Sequence, residues 1–454
     1  MRTRFTWIVA VLALLAVGFL MACSTKYKSS SNGLVVVPSQ GSGVMQTFSL
    51  SLSNGHVAQI NNSAGPPTPG LPGQVILDPA GTFAYVASTV NCTPTLDANT
   101  SLTAVQGAIV TYKINSDGKL AAGSTQYLKG NPSYPIDFPT CGLDDTTNPN
   151  AGSPPAAMAI DSSGKFLFVA TAPGSATYTT NLDTIPVSTI ATLDSVGIAV
   201  FAIGSDATLT EVAGSPFSLP LEAGGGGSPS PSALAVTPTV FPIQFAACSG
   251  HPAPTTENLY VTDSVNNVLL NYSVSSAGVL MLVPASLSEP GVLTGTLPSG
   301  VAVDACGQFA YVANTTSNSV SAFTICAAVS QNCQQADYSL QPVTGSPYAA
   351  GDLPGPIAID PFAKYVYVVD RGSGQVSGFR ISPSNGALTA ISGTPVATNS
   401  GSNSIAIRAD GSWIFVANFN SATVSQYAIT QATGGLTPQA PFTTLNQPTG
   451  VAVK

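Results

Sequence analysis

The chain has 454 residues and a formal net charge of −8, and only 7% of its residues are charged. This charge content is far below the usual quarter, and the basic residues are scattered, which argues against the concentrated basic face that a nucleic-acid partner needs. With 43 glycines, 36 prolines and 44% hydrophobic residues, the composition is typical of many short strands joined by turns and excludes a helical or a disordered chain.

The first element is a targeting segment. Arg2 and Arg4 precede an apolar run over 5–20, and the run ends in Leu20-Met21-Ala22-Cys23. This ending resembles a bacterial lipobox, in which a peptidase cuts before a cysteine that carries diacylglycerol. An ordinary secretory signal and an uncleaved membrane anchor are the alternatives.

We therefore expect a signal peptide over 1–22, a flexible tether over 23–33 with lipid on Cys23, and a folded body over 34–454. The acyl chains would hold the protein to a membrane while the body stays in water. Ser24 follows the cysteine where Asp would retain a lipoprotein at the inner membrane. The prediction is an outer-membrane lipoprotein of the bacterial envelope, periplasmic or surface-exposed.

The rest of the chain repeats one pattern. An apolar strand leads into a tight turn that opens on Asp and closes on Gly, and then into a buried strand marked by an aromatic–valine pair. A polar exit residue, an alternating third strand and a weaker fourth strand follow, and the fourth strand ends near GSPF, GSPY or GTPV. The pairs are Tyr85-Val86, Phe168-Val169, Tyr260-Val261, Tyr311-Val312, Tyr367-Val368 and Phe415-Val416.

Four short antiparallel strands in each of many copies predict a β-propeller. A β-helix would show shorter periods, and tandem sandwiches would show a linker between two core patterns. The inner strands fall near Leu77, Ile160, Val236, Val303, Ile359, Ile407 and Val453, which predicts seven blades. Residues 34–60 supply three strands and 448–454 supply one, so the two ends are expected to share a blade and close a single ring.

These residues also carry a family resemblance. The segments FAYVANTTSNSVSAF and IFVANFNSATVSQY, with the GSPF and GSPY strand ends, resemble the YVTN-type, lactonase-like seven-bladed propeller family over about 34–454. The resemblance implies a seven-bladed ring. It also implies that some relatives are sugar-lactone hydrolases of the 6-phosphogluconolactonase type or are muconate-cycloisomerase-like, whereas many others are exported proteins of unknown role.

Candidate binding residues gather on one face of the expected ring. The insertions at 89–107 and 172–196 join second to third strands, and the crossing at 128–156 joins two blades, so all three segments lie on the same face. They offer a polar and aromatic surface for a protein or glycan, although ordinary loop residues would look the same. The candidates are Tyr127, Tyr134, Asp137, Phe138, Asp144, Asp145, Tyr178 and Asp183.

Arg371 is a further candidate, because it is a cation at a strand exit on this face, where an anion near the channel would meet it. The exit residues Asp263, Asn314, Asp370 and Asn418 are expected to bond their own following turns. No nucleophile elbow, metal motif or phosphate loop is present. The sequence predicts a lipid-anchored, non-catalytic binding module without a cofactor or metal. The alternative is an exported lactonase or related lyase.

Six cysteines besides Cys23 predict disulfides in an exported protein. Cys92 and Cys141 fall on the insertion-bearing face and are expected to pair. Cys326 and Cys333 flank one third-to-fourth loop and are expected to close it. Cys248 and Cys306 remain, both in first-to-second connections of adjacent blades.

Overall fold

The computed structural model describes the chain from residue 32 to residue 454, with internal gaps. It describes no side chain for residue 32 or for residues 91–106 and 172–195. Its only helical element in these ranges is a single 3₁₀ turn, Gln40–Ser42. No helix among them is long and apolar enough to cross a membrane. The described residues are 32–60, 65–92, 95–97, 100–128, 155–171, 174–180, 190–193, 196–220, 227–238, 256–285, 289–327, 329, 333 and 337–454.

The strands form seven antiparallel sheets arranged as the blades of a propeller, as the repeats predict. Within each blade the strands follow one another from the channel outward. Blade 1 contains Ala452–Val453, Asn32–Ser39, Val44–Ser51 and Val57–Gln59; blade 2 contains Leu71–Leu77, Phe83–Cys92, Thr100–Ile114 and Leu120–Tyr127; blade 3 contains Pro155–Ile160, Phe166–Thr171, Gly197–Ile203, Leu209–Glu211 and Phe217–Ser218; blade 4 contains Pro231–Val236, Glu257–Asp263, Val268–Val274, Leu280–Leu282 and Val292–Leu293.

The last three blades are the most regular. Blade 5 contains Pro298–Val303, Phe309–Asn314, Ser319–Ile325, Leu340–Pro342 and Tyr348–Ala349; blade 6 contains Pro354–Ile359, Tyr365–Asp370, Gln375–Ile381, Leu388–Ala390 and Val396–Ala397; blade 7 contains Ser402–Ile407, Trp413–Asn418, Thr423–Ile429 and Leu436–Thr443.

Blade 1 closes the ring with strands from both ends of the chain. Val453 pairs with Val35 in antiparallel register. The Lys454 amide donates to the Leu34 carbonyl at 2.9 Å. The predicted shared blade is confirmed, and it leaves no unpaired sheet edge at the join.

The aromatic–valine strands are buried on both faces. Every residue of Phe309–Asn314, Tyr365–Asp370 and Trp413–Asn418 is buried. These strands lie inside their sheets and pack against neighbouring blades; for example, Tyr311 of blade 5 shares a core with Val366 and Val368 of blade 6. Burial of each large apolar side chain contributes roughly 1.5–3 kcal/mol, which is why this strand carries the strongest pattern in the sequence.

The repeated aspartates cap the first turn of the blades, as the sequence indicates. The Asp304 Oδ1 atom accepts from the amides of Gln308 and Phe309, each at 2.7 Å. Asp360 accepts from Lys364 and Tyr365 in the same way. Burial raises the pKa of Asp304 to about 6, although the backbone hydrogen bonds of its turn act in the opposite direction.

The fourth strand of blades 3, 5 and 6 ends near the GSPF, GSPY and GTPV segments, as the sequence predicts, but it is interrupted there. It bends there at cis X-Pro bonds, 215–216, 346–347 and 394–395. A second short piece then pairs with the far end of the third strand.

The two second-to-third insertions pair with each other. Gly174–Thr180 lies antiparallel to the extended third strand of blade 2, from Ala176 opposite Ala104 to Thr180 opposite Thr100. Thr95–Asp97 and Ile190–Leu193 add short flanking strands, and we call this assembly the insertion sheet. The insertions therefore share one face of the ring.

Candidate functional site

The inner strands of all seven blades surround a central cavity of about 310 Å³. We call this cavity and its opening on the insertion-bearing face the channel site. Its polar lining is almost entirely uncharged, and Arg371 is the one ionisable side chain among the described residues that line it. The described part of the chain contains no group of three or more His, Cys, Asp or Glu side chains placed to hold a metal ion. The polar lining residues are Gln74, Ser232, Ser299, Asn403, Ser404 and Thr449.

One inner-strand position ties neighbouring blades together. The Ser232 Oγ donates to the Pro298 carbonyl of the next blade at 2.7 Å. The Ser299 Oγ donates to the Pro354 carbonyl at 3.3 Å, and the Thr449 Oγ1 donates to the Pro72 carbonyl at 2.8 Å. A hydroxyl at this position therefore contributes to the ring, because it satisfies a strand-end carbonyl of the adjacent blade.

Blade 6 departs from this arrangement at Gly355. A Cβ at Gly355 would lie 2.4 Å from Nε and 2.6 Å from Cζ of Arg371. In blade 5, the residue equivalent to Arg371 is Thr315, which donates to the Pro354 carbonyl at 2.8 Å. The missing side chain at 355 is therefore what allows a long cation to lie against the inner strand and reach the channel.

Arg371 is accessible to solvent, but its guanidinium lies among protein atoms at the channel opening. Desolvation by these atoms lowers the pKa of Arg371. The described residues place no carboxylate within ion-pairing distance of the guanidinium, and no side-chain hydrogen bond is formed with it. A partly desolvated cation without a counter-charge is a site for an anion or a polarised carbonyl oxygen.

The adjacent Asp370 is fully buried. Its Oδ2 accepts from the Ser377 Oγ at 2.5 Å, whereas its Oδ1 has no hydrogen-bond partner. Burial, reinforced by the charge of Asp352, raises the pKa of Asp370 to about 6. Asp370 does not line the cavity itself, but it is a buried carboxyl group with a perturbed pKa next to Arg371 in the chain, and such groups are common at functional positions.

The exit residues correct one sequence expectation. Asp263 bonds its own following turn, accepting from the amides of Val265 and Asn266. Asn314 and Asn418 instead donate across the sheet to hydroxyls of the third strand, on Ser321 at 3.0 Å and Ser425 at 2.9 Å. Asp370 makes the equivalent cross-strand bond with Ser377. The partner is a serine of the third strand, two residues beyond the residue that lies directly opposite the exit residue.

Asn403 is a second polar group of the channel site, on the inner strand of blade 7. Its Oδ1 is buried and has no hydrogen-bond partner. Gln74, on the inner strand of blade 2, both accepts from the Met158 amide at 2.7 Å and donates to its carbonyl at 3.2 Å. Gln74 is therefore structural, whereas the described residues leave the buried Asn403 Oδ1 without a partner.

Other predicted binding residues are placed only in part. Tyr127 ends the outer strand of blade 2, and Tyr178 lies on the insertion sheet, where only its backbone is described. Sequence reasoning missed Gly355 and Asn403, because this inner-strand position varies between blades and carries a hydroxyl in only three of them. The candidates outside the described residues are Tyr134, Asp137, Phe138, Asp144, Asp145 and Asp183.

The predicted disulfide between Cys326 and Cys333 is confirmed, with the two α-carbons 5.3 Å apart. Cys306 lies in the first turn of blade 5 and is also disulfide-bonded. Cys92 ends the second strand of blade 2, and nothing is described of its side chain. Cys141 and Cys248 lie outside the described residues, so the pairings proposed for them stay predictions.

Comparison with known proteins supports the family resemblance. Residues 302–453 match the family model for the seven-bladed β-propeller lactonases. A proposed 6-phosphogluconolactonase from Bacteroides fragilis superposes with a TM-score of 0.63 and 17% identity, over 94% of this chain and 99% of its own. A periplasmic gluconolactonase from Pseudomonas aeruginosa superposes with a TM-score of 0.62 and 15% identity, over 93% and 99%. No curated protein sequence gives a significant match. At these identities the solved structures establish the fold alone.

Proposed function

We propose that this lactonase-like propeller binds and hydrolyses a sugar lactone at the channel site. The observation that carries the proposal is the Arg371 guanidinium, which lies over Gly355 at the channel opening without a carboxylate partner among the described residues. The family match over 302–453 supports a lactone as the substrate class. A single cation in the described lining favours an unphosphorylated lactone over a sugar phosphate.

In the proposed reaction, water adds to the lactone carbonyl, the carbonyl oxygen takes the negative charge, and the ring C–O bond then breaks to give a hydroxy acid. Arg371 would donate to the carbonyl oxygen and then to the developing oxyanion. One such donor typically contributes about 10²–10³-fold in rate. Asn403, which lines the cavity, would hold a sugar hydroxyl through its side-chain amide.

The second candidate is capture of a sugar acid, glycan or protein without turnover. It is favoured by the described lining, which offers no second ionisable group to act as a general base beside Arg371. In that case Arg371 would bind a carboxylate, and the insertion sheet would supply contact surface. Both candidates need the same guanidinium but differ in whether the lactone is consumed.

The two candidates separate in one experiment on purified protein lacking residues 1–23. Hydrolysis of glucono-δ-lactone is followed by acid release above the spontaneous rate, and gluconate binding is followed by calorimetry. Arg371→Gln should abolish either signal, whereas Arg380→Gln, which changes an exposed arginine of the same blade, should leave it intact. Lactone turnover supports the hydrolase, and gluconate binding without turnover supports the second candidate. If Arg371→Gln keeps the signal of the wild type, both candidates are contradicted.

We also propose that the protein is exported to the bacterial envelope and anchored through Cys23. The lipobox-like ending and the Cys326–Cys333 disulfide support export, and one structural neighbour is a periplasmic protein. Cys23→Ala should leave an unprocessed or soluble form. Unchanged membrane partition and an unchanged mature mass in that variant would rule out the anchor.

A further inference from the structure

A second and larger cavity lies on the opposite face of the ring, where the chain ends meet. We call it the closure cavity, and its volume is about 680 Å³. Blade 1 contributes Leu34 and Lys454, blade 2 contributes its first turn and the 115–118 turn, and blade 7 contributes Arg408. This volume is within the usual range for small-molecule sites.

The two cations occupy a position that is acidic in most other blades. The residue directly after the inner strand is an aspartate in blades 2, 3, 5 and 6, where it caps the first turn, and Thr237 in blade 4. In the adjacent blades 7 and 1 the same position holds Arg408 and Lys454. The aspartates are Asp78, Asp161, Asp304 and Asp360.

In blade 7 a different residue caps the first turn. Asp410, two residues further on, accepts from the Ser412 amide at 3.0 Å and from its hydroxyl at 2.5 Å. The turn is therefore satisfied without an acid at position 408, so the change to arginine is not explained by the turn itself.

Both cations line the cavity and carry hydrogens that no described protein atom accepts. Arg408 is ion-paired with Asp410 through Nη1, and its buried Nε has no partner among the described residues. Desolvation lowers the pKa of Arg408. Lys454 donates from Nζ to the Gly81 carbonyl at 3.0 Å, and an ammonium has two further hydrogens.

The remaining lining is partly apolar. Leu34, Ile60 and Ile114 give hydrocarbon surface, and Asn115 and Ser116 give neutral polar groups. Asp117 on the rim is ion-paired with Lys119 at 3.2 Å, so its charge is partly compensated. A ligand that fits both parts has one anionic end and an apolar body.

We propose that the closure cavity binds a small carboxylic acid with an apolar body, whose carboxylate lies between Arg408 and Lys454. The two cations belong to the blades that close the ring. Binding would therefore also link blade 7 to blade 1 and raise resistance to unfolding. This site is distinct from the channel site and does not depend on the function proposed there.

Titration calorimetry with phenylacetate tests the proposal on the full folded domain. We expect phenylacetate to bind. The neutral analogue phenylacetamide should bind at least about tenfold more weakly, because it lacks the charged hydrogen bond. Acetate should also bind at least about tenfold more weakly, because it has no aromatic ring to bury. Arg408→Gln and Lys454→Gln should each weaken phenylacetate at least about tenfold. Lys113→Gln, on an exposed strand residue of blade 2, should leave it unchanged.

Thermal unfolding provides the second measurement, in case Arg408→Gln alters folding. Phenylacetate should raise the unfolding temperature of the wild type and of Lys113→Gln, but not of Lys454→Gln. Equal binding of phenylacetate and phenylacetamide would show that Asp410 neutralises the cavity and would overturn the proposal. The proposal would also be overturned if millimolar phenylacetate did not bind the wild type, or if Arg408→Gln and Lys454→Gln both bound phenylacetate as tightly as the wild type.

Discussion

Blades 5 and 6 have nearly the same strands but differ at the channel. Both have six-residue inner and second strands, followed by a third strand of seven residues. Three positions that meet at the opening differ in chemistry while the backbone is shared. The pairs are Ser299 and Gly355, Asn314 and Asp370, and Thr315 and Arg371.

In blade 5 the two hydroxyls have partners, although the buried Asn314 Oδ1 has none. The Ser299 and Thr315 hydroxyls lie 2.6 Å apart, and either one can donate to the Pro354 carbonyl while the other donates to its neighbour. In blade 6 the guanidinium lines the channel, and the buried oxygen without a partner belongs to a carboxylate, whereas the equivalent oxygen of Asn314 belongs to a neutral amide. Blade 5 shows that the same strands form without these two charges, so the charges of blade 6 are not required by the fold.

The strongest test converts blade 6 to the blade 5 pattern with Gly355→Ser, Asp370→Asn and Arg371→Thr together. We expect the protein to fold and to gain stability, because each new residue is already present at the equivalent position of blade 5. Lactone turnover or sugar-acid binding should fall about 100-fold or more, the effect of losing an oxyanion-type donor.

The reciprocal change in blade 5 is the control for that test. Ser299→Gly, Asn314→Asp and Thr315→Arg together should lower stability without restoring activity, because the insertion sheet lies over other blades. Undiminished turnover in the blade 6 triple variant would show that the difference between the blades is not functional.

Asp370→Asn alone should raise the free energy of unfolding by about 2 kcal/mol at pH 8 and have little effect near pH 4. The folded pKa of about 6 lies above the ordinary 3.8, so the folded state binds more protons between these values. The wild type therefore loses stability as pH rises from about 4 through 6, and above that the penalty is constant.

Denaturant unfolding of both proteins at pH 4, 6 and 8 measures this dependence. Asn314 shows that an amide at the equivalent position donates to the third-strand serine, so the Ser377 bond can be kept. A constant difference between the two proteins across the three pH values would show that Asp370 does not titrate in this range.

The architecture is readable from the sequence because each blade buries its second strand, and burial leaves the aromatic–valine pattern. The placement of Arg371 on the insertion-bearing face also follows from strand order. That the Arg371 side chain enters the channel cannot be read from strand order, because this depends on the close approach of Gly355, which belongs to a different strand. The sequence wrongly assigns the exit asparagines to their turns, because the sheet register brings a third-strand serine, diagonal to each asparagine, within hydrogen-bond distance.

Gly355→Ser alone should weaken ligand binding about tenfold while leaving the fold intact. The added Cβ lies within 3 Å of the guanidinium and must displace it. Ser299 shows that the inner strand accepts serine at the equivalent position of blade 5. The matched control is Gly393→Ala, at a position where a Cβ meets nothing within 4 Å but the backbone has a positive φ. That control should cost stability without changing affinity, which separates a local steric effect on Arg371 from a general loss of folding.

The smallest expected effect is on the ring itself. Ser299→Ala removes one of two donors to the Pro354 carbonyl, and the Thr315 hydroxyl remains to satisfy that oxygen. We expect a loss of only about 0.5 kcal/mol, below the usual value for a hydrogen bond. Thr315→Val alone should cost a similar amount, but the double variant leaves the carbonyl without either donor and should cost about 2 kcal/mol. Urea unfolding of the four proteins gives this coupling directly. Strict additivity would show that water replaces the hydroxyls, and the blade 5 residues would then no longer serve as the satisfied reference for blade 6.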